Sequence, residues 1–330
     1  MSVVDIHTHM LTREYLYLLG EKGGPLYSRD VARSGIDVIC MHGAPFFTLT
    51  PPMWDYDLRI ADMDAAGVDI AVVSLTCPNA YFGDAETSLR AAQMVNNSMA
   101  EQQSIRPERI RWLASLPWQY ELLALQELDR CIRSGAVGVM VIGNISGTSL
   151  TDPAFAKIWE EIDRRRLPVL LHPGMPQGGN LMELNQYGLV PAVGFPMDTS
   201  LAVTRMIFDG FFDRYPNLRL IASHGGGALP YLAGRIDFCY SKMTELTMTE
   251  KIEAAPREYL QRIYYDAVVY DMAALNLCIE TAGSPDRVLF GSDYPHPIGD
   301  MQGCLARVDS LPSLTARRIR GANAIRLFNL

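Results

Sequence analysis

The run VGVMVI, residues 137–142, carries no polar side chain at any of its six positions. A strand with one solvated face alternates apolar and polar residues. An unbroken apolar run instead marks a strand buried on both faces, as in parallel sheets covered by helices. Seven more short β-branched or apolar runs join this one (136–142): residues 3–9, 70–75, 110–116, 168–172, 218–224, 263–266 and 288–293. Helical spacing fills the intervals at 57–66, 85–106, 121–134, 153–165, 200–215, 228–243, 272–282 and 314–328. Strict strand–helix alternation implies parallel strands joined by right-handed crossovers, and eight such units in 330 residues predict a (β/α)8 TIM barrel. An open doubly wound sheet is the runner-up, because local propensity does not distinguish it from a closed barrel.

Some boundaries are written locally. Thr151-Asp152-Pro153 offers a cap followed by a first-turn proline, and Gly67 and Gly283 stand where helices should stop. Residues 13–52 break the alternation. They read as an insertion after the first strand, with a small hairpin near 38–41, lying over the barrel mouth of a single domain spanning 1–330.

The chain has 29 Lys+Arg against 37 Asp+Glu, a net charge of −8, and 48% hydrophobic residues. It is too apolar for a disordered chain. Its acidic balance argues against nucleic acid or an anionic membrane as partner, because both need clustered cations. No apolar run approaches the ~20 residues that span a bilayer. Asp5, His7 and His9 interrupt the place where a signal sequence would need its apolar stretch, so a cytoplasmic protein is expected. The six cysteines are scattered, with no CxxC pair, and read as buried free thiols.

Six histidines occur, and their placement carries the chemistry. His7 and His9 are two apart near a strand end, so both imidazoles share one face and form a chelating pair. His172 closes the fifth strand, His224 the sixth and Asp293 the eighth, which brings all five groups to the carboxyl rim where barrel enzymes keep their catalytic residues. Neutral imidazoles with a carboxylate suit Zn(II) first, with Mn(II), Fe(II) or Co(II) also able to occupy such a site. None of the four lysines (Lys22, Lys157, Lys242, Lys251) falls at a strand end, so no carboxylated lysine is in place to bridge two ions, and a single metal is expected. His7, His9, His172 and Asp293 are then its ligands. His224 is left beside a bound water as the proton-handling group. His42 and His296 stay open. The glycines Gly225 to Gly227 let backbone approach the site, and the absence of a GxGxxG pattern excludes a dinucleotide fingerprint.

DIHTHM, LLHPG, ASHGGGALPYLAGRID and LFGSDYPHP together resemble the amidohydrolase superfamily, in the branch of metal-dependent decarboxylases typified by 2-amino-3-carboxymuconate-6-semialdehyde decarboxylase. The likeness runs nearly end to end, including YDLRIADMDAAGVD and the closing GANAIRLF. It implies metal ligation by His7, His9, His172 and Asp293, acid–base work by His224, and a substrate carboxylate gripped by Arg59 and Arg235. Arg235 would reach into a partner's site, hence a homodimer. From the residues alone either arginine reads equally as a solvated charge or a structural ion pair, although a planar guanidinium does suit a carboxylate. Two departures stand out. Gly174-Met175-Pro176 replaces a bulky aromatic, and His296 replaces an aromatic in the DYPxP loop. The resemblance implies nonoxidative decarboxylation of an aromatic or semialdehyde-type carboxylic acid. The alternatives are hydrolysis of a lactone or amide, or hydration of a carboxylated diene, on the same site. A noncatalytic metal and ligand sensor is the alternative from another class.

Overall fold

The computed structural model describes residues 2–32, 34–246 and 251–330. Eight parallel strands pair in sequence order: β1 (Val4–His9), β2 (Ile70–Ser74), β3 (Ile110–Ala114), β4 (Gly138–Ile142), β5 (Pro168–His172), β6 (Arg219–Ala222), β7 (Tyr264–Asp266) and β8 (Val288–Leu289). The sheet returns on itself. Ile6 N donates to Phe290 O at 3.0 Å, Asp293 N to His7 O at 2.8 Å, and His9 N to Tyr294 O at 2.7 Å, so the last strand and its extension lie against the first. This is the (β/α)8 TIM barrel.

The apolar run that marks β4 is buried along its whole length. Gly138 opens it because β5 passes too close for a side chain: a Cβ there would meet Pro168 O at 2.5 Å. Between barrel and helices, Trp118 and Trp159 are buried with ring centroids 4.8 Å apart, each hiding a large apolar area.

The expected cap at Asp152 and stop at Gly67 form, joined by an unforeseen cap at Asp55. Asp55 accepts from Asp57 N and Leu58 N at the start of the helix Tyr56–Ala66, which stops at Gly67 in the left-handed region (φ 75°). Asp152 accepts from Ala154 N ahead of Pro153. Three boundaries differ from expectation. The helix expected over 200–215 begins earlier, at Phe195, and breaks into Phe195–Phe208 and Phe211–Arg214 around Gly210 (φ 66°). A helix Met301–Asp309, capped by Asp300, follows β8, where the mixed polarity of MQGCLARVD hid its period. The closing helix is divided by a π-helical stretch, Arg318–Ala322.

Residues 13–52 hold more than a hairpin. The helix Arg13–Lys22, capped by Thr12, leads into a three-stranded antiparallel sheet of Tyr27–Val31, Asp37–Met41 and Ala44–Thr48. All six cysteines are free, and all but Cys239 are buried. Among the described residues no helix is long and apolar enough to cross a membrane.

Candidate metal centre and active site

The alternation of β1 sends Asp5, His7 and His9 to one face, and all three are fully buried inside the barrel. The ring centroids of His7 and His9 are 5.1 Å apart, those of His7 and His172 5.1 Å, His9 and His172 4.7 Å, and His7 and His224 4.9 Å. Asp293 stands among them. Its Oδ1 lies 3.4 Å from His7 Nε2 and 3.2 Å from His9 Nε2, and its Oδ2 lies 3.5 Å from His224 Nε2. Ligand atoms of His7, His172, His224 and Asp293 all fall within 4.8 Å of one another, and those of His9, Asp293 and His296 form a second group sharing the carboxylate. All five residues expected from the strand ends therefore meet at one place.

Their outward nitrogens are already committed. His7 Nδ1 lies 2.6 Å from Asp266 Oδ2, His172 Nδ1 2.9 Å from Pro173 O, and His9 Nδ1 3.3 Å from both Leu75 O and Ser74 Oγ. Each bond orients its ring so that Nε2 faces the cluster, the arrangement metal-ligating histidines use. The Nε2 atoms of His7 and His172 are buried with no hydrogen-bond partner. Orphaned buried acceptors facing a carboxylate are what a divalent cation would satisfy, so the donor set fits one.

The charges agree. Burial holds His172 well below its usual range and His9 at about 3, so both rings are neutral near pH 7. Burial alone would also lower His7, but Asp266 beside it reverses the direction and raises it. For Asp293, burial would raise the carboxyl; hydrogen bonds from His224 and His9 instead hold it well below the usual carboxylate range.

Two backbone positions pay for this geometry. His224 (φ 55°) and Asp293 (φ 58°) adopt the left-handed conformation, which costs a non-glycine residue about 1–3 kcal/mol. Asp266 secures the first by accepting His224 N and Gly225 N, each at 2.9 Å, and the His7 carbonyl secures the second. Sequence reading missed Asp266, although it closes a strand by the same pattern that singled out Asp293.

The cluster opens into a cavity of about 200 Å³. His172 and Asp293 lie on its lining beneath Pro45, Phe46 and Phe47 from the inserted sheet, with Pro191, Phe195 and Ile298 completing the apolar walls.

The amidohydrolase family model matches residues 4–330. The chain belongs to the amidohydrolase family. This amidohydrolase is 33% identical over 333 residues to the 2-amino-3-carboxymuconate-6-semialdehyde decarboxylase of Dictyostelium discoideum, covering 99% of this chain and 91% of that protein. It is 28% identical to the gamma-resorcylate decarboxylase of Rhizobium radiobacter, over 83% of this chain and 87% of the relative. Among solved structures, the 5-carboxyvanillate decarboxylase from Sphingomonas paucimobilis superposes with a TM-score of 0.87 at 26% identity, covering 100% of this chain and 99% of that one.

The two arginines lie elsewhere in this amidohydrolase. Arg59 is fully buried behind β1, where it donates to Thr8 Oγ1 (2.7 Å) and His9 O (2.5 Å), sits 2.9 Å from Met10 sulfur and stacks on Tyr294 at 4.6 Å. The helix Tyr56–Ala66 turns this side chain toward the strand end, and Arg59 is not among the residues lining the pocket. It positions the strand that carries His7 and His9. Arg235 is exposed on the helix Leu229–Glu245, away from the cluster. His42 is exposed and borders an adjoining depression with Tyr27 and Phe46. His296 lines the main pocket, with Nε2 3.0 Å from Thr76 Oγ1.

Proposed function

We propose that this amidohydrolase is a metal-dependent carboxy-lyase that removes CO2, without oxidation, from a small aromatic or semialdehyde-type carboxylic acid. One observation carries the reading. Inward-facing imidazole nitrogens and a shared carboxylate converge on the lining of an apolar pocket, with a further histidine, His224, at the edge of the set. Full-length similarity to a decarboxylase supports it.

His7, His9, His172 and Asp293 would hold the ion, with zinc first by ligand chemistry and manganese second. A divalent ion there supplies Lewis acidity that steadies the negative charge developing as CO2 departs. The chain does the rest. Phe46, Phe47 and Phe195 exclude water from the planar substrate. In the net reaction the bond between ring carbon and carboxylate breaks, its electron pair stays on the carbon, and a proton takes the place of CO2. His224, whose side chain keeps 13% of its surface exposed and whose Nε2 lies 3.5 Å from Asp293, is placed to deliver that proton.

The same reading makes the protein a homodimer. Tyr231, Arg235 and Phe238 follow one another at i, i+4 and i+7, so they share one helix face, and Tyr231 and Phe238 are 83% and 66% exposed. A second copy seated there would cover both rings and take Arg235 toward its own substrate carboxylate. A cytoplasmic location completes the reading, supported by six unpaired cysteines.

The test is metal analysis followed by a panel of ring carboxylates assayed in oxygen-18 water. CO2 release with no label in the remaining product is the expected result, once exchange of labile carbonyl oxygens has been controlled. Label incorporated without CO2 would make the enzyme a hydrolase or hydratase.

A further inference from the structure

Thr76 and His296 form a hydrogen-bonded polar point on a largely apolar wall, to which Thr48 adds a hydroxyl and Cys77 a thiol. The pocket is lined by Pro45, Phe46, Phe47, Pro191, Phe195 and Ile298, and His172 and Asp293 belong to the cation cluster. Thr76, just beyond the end of β2, is 1% exposed, and its hydroxyl oxygen meets His296 Nε2 at 3.0 Å. The His296 ring is set between Phe47, with centroids 6.1 Å apart at 83°, and His9, 5.1 Å apart at 58°. Two aromatic neighbours and one hydrogen bond fix its orientation. The pairing does not exhaust either residue. A threonine hydroxyl has one donor and two acceptor sites, of which the long contact to Cys77 Sγ at 3.9 Å uses only the donor, and the second ring nitrogen of His296 makes no hydrogen bond among the described residues. The surplus capacity borders a cavity whose remaining wall, apart from the Thr48 hydroxyl and the Cys77 thiol, offers an incoming ring mainly carbon.

We propose that Thr76 and His296 together read a hydrogen-bonding substituent on the ring of the substrate acid, making them the specificity-determining pair of this pocket. The inference rests on the carboxylic-acid reading above and deepens it: Thr76 and His296 decide between a ring acid that carries a hydroxyl, amino or carbonyl substituent and one that bears alkyl groups alone. A ligand lacking that group would leave a buried hydroxyl and imidazole facing carbon, and sites built to hydrogen-bond a substituent reject such analogues strongly. The ring centroids of His296 and His9 lie 5.1 Å apart, so one small ring can span the cation cluster and the polar point together.

The experiment uses zinc- or manganese-loaded enzyme and matched pairs of hydroxybenzoates and methylbenzoates substituted at each ring position. Binding is measured by calorimetry and CO2 release in parallel. The wild type is expected to bind the hydroxy acid at one position about 10- to 100-fold more tightly than its methyl counterpart. Thr76→Val and His296→Phe, which keep shape and remove the polar group, are each expected to bring that ratio close to one at unchanged metal content. A ratio that survives in both variants, or no preference in the wild type, overturns the proposal. So does loss of metal from His296→Phe alone, which would make His296 a ligand through the His9–Asp293–His296 group. Because binding is read independently of CO2, a selective pocket that releases none would count against the decarboxylase reading and leave the polar pair standing.

Discussion

His7 Nδ1 and Asp266 Oδ2 lie 2.6 Å apart across 259 residues of sequence, and neither side chain has any exposed surface. The carboxylate does three jobs. It orients the His7 ring, raises that ring's basicity, and receives the His224 and Gly225 amides. Asp266→Asn should therefore weaken metal binding about 10- to 100-fold, the usual effect of removing a partner behind a ligand histidine. Competition with a fluorescent chelator measures it. Unchanged affinity would show that His7 needs no orienting partner.

His172 and His224 should separate by function. His172→Ala removes an inward nitrogen and should abolish stoichiometric metal, whereas His224→Ala should keep the ion and lose most of the rate. Elemental analysis beside a CO2 assay distinguishes them. The reverse pattern, metal lost from His224→Ala and kept in His172→Ala, would exchange the two roles.

Arg59 holds the end of β1 through Thr8 and His9. Arg59→Ala should lower stability by about 2–4 kcal/mol, since it strands buried acceptors and empties the space over Tyr294. A denaturation midpoint reads this directly. An unchanged midpoint with a raised KM would instead place Arg59 on the substrate.

Stability of the metal-free protein should respond to pH in a particular shape. Burial pushes Asp5 and Asp198 up to about 6, so between their ordinary value of 3.8 and about 6 the folded chain holds two protons that the unfolded chain lacks. Their contribution is complete below 3.8 and is lost as pH rises through 6. Burial holds His9 at about 3, His172 well down and His296 below its usual range, so below the ordinary 6.5 the unfolded chain takes up protons on three imidazoles that the folded chain resists. His7, raised, is protonated in both states throughout this window. From about pH 4 to 6 the three imidazoles outweigh the two carboxyls, and the melting temperature should fall gently as the pH drops. Below about 3.8 it should fall steeply, because Asp293 and Asp266 are held low in the fold and protonate first in the unfolded chain. Thermal scans at fixed ionic strength test this; a level or rising melting temperature from pH 6 to 4 would mean that the carboxyls dominate.

The barrel was legible because its strands are buried on both faces, so VGVMVI and its counterparts stay apolar instead of alternating. The cluster was legible because strand ends converge by topology: His172 and Asp293 needed no long-range contact to be placed. Arg59 was not legible, because a helical arginine can face the pocket or the back of a strand with equal local plausibility, and only the packing of Tyr56–Ala66 against β1 decides. The inserted sheet was half-read, since Tyr27–Val31 is largely exposed and carries no apolar signature. Asp266 was readable by the rule applied to Asp293, yet a carboxylate with no neighbouring histidine in sequence gave no reason to apply it.

The barrel closes where the first strand meets the last, and His7 and His9 find Asp293 across that seam. During synthesis His9 leaves the ribosome 284 residues ahead of the carboxylate that it shares with His7. A nascent chain can build most of its helices long before any place exists for the ion to settle. Loading of the ion thus waits on the last strand by geometry alone, and a product truncated before residue 293 would be born unable to retain it.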